Sequence, residues 1–107
     1  MTFSLTIKTA EDLAGEAQAA AQAQLVAMID AHVEAQAKAL GYNSAAHLAG
    51  YKDSTVAAWS AEASAFIAWR DQVWLAAYTL QAEHAAAQTM PAPADVMAAL
   101  PVWGDVE

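Results

Sequence analysis

The stretch GYNSAAHLAGYKDSTVAAWSAEASAFIAWRDQVWLAAY, residues Gly41 to Tyr78, holds seven of the nine aromatic side chains and the single arginine, Arg70. It also holds the clearest helix-boundary signals. Gly41 and Gly50 bracket a short helix from Ala45 to about Ala49, which Asn43 or Ser44 can cap. Asp53, Ser54 and Thr55 follow as a cluster of capping residues, and a long helix is expected from about Val56 to Gln88, without Gly or Pro inside. On it Trp59, Ala63, Phe66, Val73 and Ala77 fall on one face, with Ile67, Trp74 and Tyr78 on the adjacent one, giving a wide apolar stripe.

Upstream of Gly41 the pattern Leu13, Ala17, Ala21, Leu25, Ile29, Val33, Ala37, Leu40 repeats at helical spacing. Thr9 can cap this helix, and Glu11 and Asp12 put negative charge in its first turn, where the helix dipole favours it. A helix from there to Gly41 has about thirty residues and a length of about 45 Å. Its first half is nearly all Ala, Gln and Glu, which form helix readily and offer little to dock it. Two long helices joined by a short helical connector fold back as an antiparallel hairpin. Alanines on the first helix let the bulky rings of the other approach closely.

Outside the hairpin, Phe3, Leu5 and Ile7 alternate with polar residues at strand spacing, with no second strand in the chain to pair with. Three readings stay open for this segment: a disordered tail, an extended segment laid on the helices, or a strand given to another chain. Met90-Pro91-Ala92-Pro93 ends the second long helix and makes a stiff linker. Ala94 to Leu100 has room for one or two helical turns before Pro101, and Trp103 stands in a small, acidic tail. The expected architecture is all-α: a hairpin domain over residues 1–90 and a Pro-containing C-terminal extension over 91–107.

Composition narrows function. The 107 residues carry 12 acidic and 4 basic side chains, a net charge of −8. Nucleic-acid binding needs clustered Lys and Arg to displace counterions, and Lys8, Lys38, Lys52 and Arg70 form no patch, so neither nucleic acid nor an anionic membrane surface is an expected partner. There is no cysteine, and therefore no disulfide or thiol chemistry. The first residues lack a signal peptide's basic start and apolar run, and no uncharged apolar stretch is long enough for a membrane span. About half of the apolar residues are alanine, so the core should be thin and the shape extended or partner-stabilised.

No catalytic or cofactor constellation stands out. His32, His47 and His84 lie far apart, without the spacing that sets two metal ligands on one helical face. Ser54 and Ser60 sit in no nucleophile elbow, and the four glycines make no phosphate loop. The expectation is a non-enzyme with no cofactor and no metal. Trp, Tyr and Arg dominate protein–protein hot spots. Trp59, Phe66, Trp69, Arg70, Trp74 and Tyr78, with Trp103 from the tail, are therefore the candidate contact residues. The alternative is an amphipathic helix with Trp69 and Trp74 partly in the core and Arg70 facing solvent, pairing with Glu62 or Glu83, or stacked on a tryptophan. On the contact reading Trp69→Ala or Trp74→Ala weakens association without loss of helix, whereas loss of folding together with binding returns them to the core.

Gly41-Tyr42-Asn43-Ser44, Tyr51-Lys52-Asp53-Ser54-Thr55, Glu62-Ala63 through Phe66 to Trp69-Arg70-Asp71 and Val73-Trp74, and a final Leu100-Pro101 with Trp103, together resemble a family. It comprises small proteins encoded in the tail-gene region of tailed bacteriophages and prophages. The resemblance covers nearly the whole chain. It implies an accessory role in tail or tail-fibre assembly, with a tail or fibre polypeptide or a second copy as partner. It also implies a location in the cytoplasm of the infected bacterium or in the virion tail. Many members have a longer extended N-terminal part than the brief one here. A minor structural virion component is one alternative. A small acidic inhibitor of a host nucleic-acid enzyme is another, although the acids do not cluster.

Overall fold

A computed structural model describes residues 9–104, and residues 1–8, where Phe3, Leu5 and Ile7 alternate in the sequence, and residues 105–107 lie outside the described residues. Four helices follow in order: α1 (Ala10–Ala39), α2 (Ala45–Ala49), α3 (Ala57–Ala86) and α4 (Pro93–Ala99), with no strand among the described residues. α1 and α3 form the antiparallel hairpin. His32 of α1 lies 5.5 Å from Trp69 of α3 between ring centroids, and further out Gln18 and Ala21 share a groove with His84 and Ala85.

The ends of α1 follow local chemistry. The Thr9 hydroxyl accepts from the Asp12 amide at 3.1 Å, and the Asp12 carboxylate accepts from the Thr9 amide at 3.3 Å, a complete capping box. At the other end Gly41 takes a left-handed conformation, φ +99°. The Tyr42 amide then reaches the Ala37 carbonyl and the Gly41 amide that of Lys38, the paired bonds of a Schellman motif. α2 is capped by the Ser44 hydroxyl, which accepts from the His47 amide. Glu34 of α1 also accepts from the Ala45 amide at 3.1 Å, placing a carboxylate on the positive end of α2.

α3 starts within one residue of the expected boundary but without the expected side-chain cap, and it ends two residues short of Gln88. Its N-cap is Val56, with no side-chain cap. The Ser54 hydroxyl instead accepts from the Val56 amide, a turn that precedes the helix rather than capping it. The helix stops at Ala86, because Gln88 adopts φ +57° and lets the Thr89 amide bond the His84 carbonyl and the Gln88 amide that of Ala85. A left-handed non-glycine residue costs about 1–2 kcal/mol, partly offset on substitution by the greater unfolded-state freedom of glycine, about 0.4–1 kcal/mol. Gln88→Gly should therefore stabilise the fold by up to about 1 kcal/mol, read as a higher urea midpoint at unchanged slope.

The core is thin and sits toward the connector. α1 contributes Ile29, Val33 and Ala37, α2 contributes Leu48, and α3 contributes Ala63, Phe66, Trp69 and Val73. Val96 and Leu100 complete it from the C-terminal segment. Residues 10–20 of α1 are exposed on every face, so the apolar stripe that begins at Leu13 in sequence takes part in packing only from Leu25 onward. The radius of gyration is 18.7 Å, against about 13 Å for a compact chain of this length. No helix among the described residues is long and apolar enough to cross a membrane.

Candidate protein-contact surfaces

The candidate contact residues do not share one surface. Phe66 and Trp69 are fully buried, which corrects their assignment to an exposed face. The C-terminal segment folds back over them. Trp103 meets Trp69 edge-on at 5.7 Å and Phe66 at 6.2 Å, and the Trp69 indole N–H donates to the Pro101 carbonyl at 2.9 Å. This bond satisfies the polar end of the buried indole, and no buried polar side-chain atom is left unpaired among the described residues. Trp103 is half-buried in that contact. Arg70 does not reach Glu62 or Glu83. It pairs with its neighbour Asp71 at 3.0 Å in a partly exposed position, an arrangement that contributes little to stability.

Trp74 and Tyr78 lie elsewhere, 6.2 Å apart between ring centroids, on the wall of a groove at the open end of the hairpin. Leu25, Val26 and Ile29 of α1 form the opposite wall, and Met90 closes one edge. The groove encloses about 470 Å³. Its polar groups are the amides of Gln18, Gln22 and Gln81, with His84 and Thr89 hydrogen-bonded to each other at 2.7 Å. No Asp, Glu, Lys or Arg lines it. In an acidic chain with charges on both long helices, that absence makes the groove a neutral concavity. Val26, Tyr78 and Met90 are exposed there, Tyr78 at 60%.

The groove exists because α1 runs out of large side chains. Opposite Ala77 and Gln81 of α3, it offers Ala21 and Gln18, too short to fill the space between the helices. Sequence reading named the aromatic wall and missed the α1 wall. The signal for it was the charge-free run Ala17 to Ile29 on a helix that is otherwise regularly charged.

Trp59 stands at the other end of the molecule. It is 49% exposed, because α3 begins only two residues earlier and the connector does not cover it. Its ring meets Tyr51 edge-on at 5.6 Å. Tyr51 in turn lies 5.6 Å from Tyr42 and 5.4 Å from His47. These rings, with Asn43 and Glu62, line a second concavity of about 390 Å³. The Tyr42 hydroxyl donates to Glu62 Oε1 at 2.8 Å. That bond to the carboxylate, then burial and the negative charge itself, hold the phenol above its usual range, so it remains a donor.

His32, His47 and His84 occupy three separate places: against Trp69, in the connector, and at the end of α3. No group of three His, Asp or Glu side chains among the described residues is arranged to hold a metal ion. Comparison with protein-family models, with curated proteins and with solved structures finds no match.

Proposed function

We propose that this helical hairpin is a non-enzymatic accessory protein of phage tail assembly that holds a segment of a tail or tail-fibre polypeptide in the groove between α1 and α3. The single observation that supports this reading most is the uncharged, apolar groove in a chain of net charge −8. A neutral amphipathic helix laid between two helices fits its shape and chemistry, in the helix-in-groove mode. Exposed Tyr78 and half-buried Trp74 supply the aromatic anchors that dominate such interfaces. The phage assignment comes from the sequence resemblance, whose connector and helix motifs coincide with the segments that shape this hairpin.

The test is co-expression with the tail-fibre polypeptide of the same phage, followed by pull-down and light-scattering mass. A soluble stoichiometric complex from a fibre that is insoluble alone supports the chaperone role. Finding the chain stoichiometrically in purified particles instead favours a structural tail component. Val26→Asp and Tyr78→Ala alter exposed groove residues, so both should keep native helicity while weakening the complex about tenfold or more. Because the groove carries no charge, affinity should change little between low and high salt. Strong salt sensitivity would point instead to an acidic inhibitor of a basic host enzyme.

A further inference from the structure

We propose that the aromatic concavity at the connector end is a docking site for an arginine side chain of a protein partner. The inference rests on different residues from the groove, and it stands or falls independently. Tyr42, Tyr51 and Trp59 present three rings to one small cleft, and Glu62 lies beside them. Two of the ring contacts, Tyr51 with Trp59 at 82° and Tyr42 with Tyr51 at 59°, set adjoining walls steeply to one another. Such walls offer ring faces and edges to the same space. Ring faces attract cations through their negative quadrupole.

Glu62 supplies the charge. One carboxylate oxygen accepts from Tyr42, and among the described residues the other makes no hydrogen bond. A half-used carboxylate next to exposed rings is matched by a group that stacks and donates together. Guanidinium does both: it is flat, it stacks on aromatic faces, and its N–H fork pairs with carboxylate oxygens. Tyr51 lies 5.6 Å from both Tyr42 and Trp59, and His47 packs 5.4 Å from Tyr51, so the rings adjoin one another rather than standing apart as a box. That shape suits a flat cation laid on Trp59 better than a spherical ammonium, which needs a box to surround it.

Nothing in the fold requires Trp59 to be a tryptophan. It is half exposed, lies outside the hydrophobic core, and meets the connector edge-on at Tyr51. With net charge −8 the chain also draws basic partners toward it.

The test is two-dimensional NMR of the full chain titrated with N-acetylarginine amide, and separately with its neutral isostere N-acetylcitrulline amide. Binding in the millimolar range should shift the Trp59 indole and Tyr51 ring signals with arginine, and leave them unmoved with citrulline. Trp59→Ala should weaken binding about fivefold. Glu62→Gln, which keeps an acceptor for Tyr42 while removing the charge, should do the same and become insensitive to salt. Equal shifts with citrulline, or shifts confined to Trp74 and Tyr78, would overturn the proposal. Tighter binding of a lysine or quaternary ammonium probe than of arginine would overturn the assignment of guanidinium. Weakened fibre binding by the groove variants leaves this outcome unaffected.

Discussion

Trp69→Ala is expected to unfold the protein at room temperature or bring it to the edge of unfolding, with helical circular dichroism and any partner binding lost together. The indole is 0% exposed and sits where three segments meet: His32 from α1, Phe66 from α3, and Pro101 and Trp103 from the C-terminal segment. Removing a fully buried aromatic costs about 3–5 kcal/mol. A domain of this size has about 5–15 kcal/mol in total, and a core of ten residues, two of them alanine, places this one toward the low end. Trp69→Phe separates the contributions. It keeps most of the apolar contact and loses the hydrogen bond to the Pro101 carbonyl, so a smaller loss of about 1–3 kcal/mol is expected. If Trp69→Ala instead retained its urea midpoint and lost only binding, the indole would belong to the contact surface after all.

The hairpin itself was legible because its signals are local. Thr9 with Asp12, and Gly41 after Leu40, fix both ends of α1 by bonds that span a few residues. Ser44 and Gly50 do the same for α2. Where a local rule has two solutions, sequence alone does not choose between them. Ser54 can cap a helix or bond the amide two residues on, and it does the latter. Gln88 carries no left-handed preference, so nothing in sequence announced that α3 would close two residues before the expected boundary.

The sorting of the aromatic residues was not legible, for a different reason. Helical periodicity places Phe66, Trp69 and Trp74 on neighbouring faces and says nothing of which face another segment will cover. The covering residues, Val96, Leu100 and Trp103, lie about thirty positions away, beyond two prolines, in a stretch whose composition reads as a tail. Once that segment docks, Phe66 and Trp69 are core, while Trp74 and Tyr78, past its reach, stay available to the groove. Trp59 escapes in the opposite direction, beyond the start of the packed face.

That docking makes the segment after Met90 part of the hairpin's core, and ending the chain at Met90 should be as damaging as losing Trp69. The cut removes Val96, 2% exposed, and Leu100, 5% exposed, each worth about 1.5–3 kcal/mol of burial. It also strips the cover from Phe66 and Trp69 and leaves the indole N–H without its acceptor. The summed loss, about 5 kcal/mol or more, matches the whole stability of a marginal domain, so the truncated chain should lose helical signal and aggregate through its bared rings. A dispensable extension would instead leave the urea midpoint unchanged. Adding the peptide 91–107 in trans distinguishes lost contacts from misfolding. The tether between α3 and α4 is only a few residues long and stiffened by Pro91, and short tethers give effective concentrations in the millimolar range. Peptide at about that concentration should therefore restore part of the helical signal, and a Trp103→Ala peptide, which lacks the ring that meets Trp69 and Phe66, should restore less.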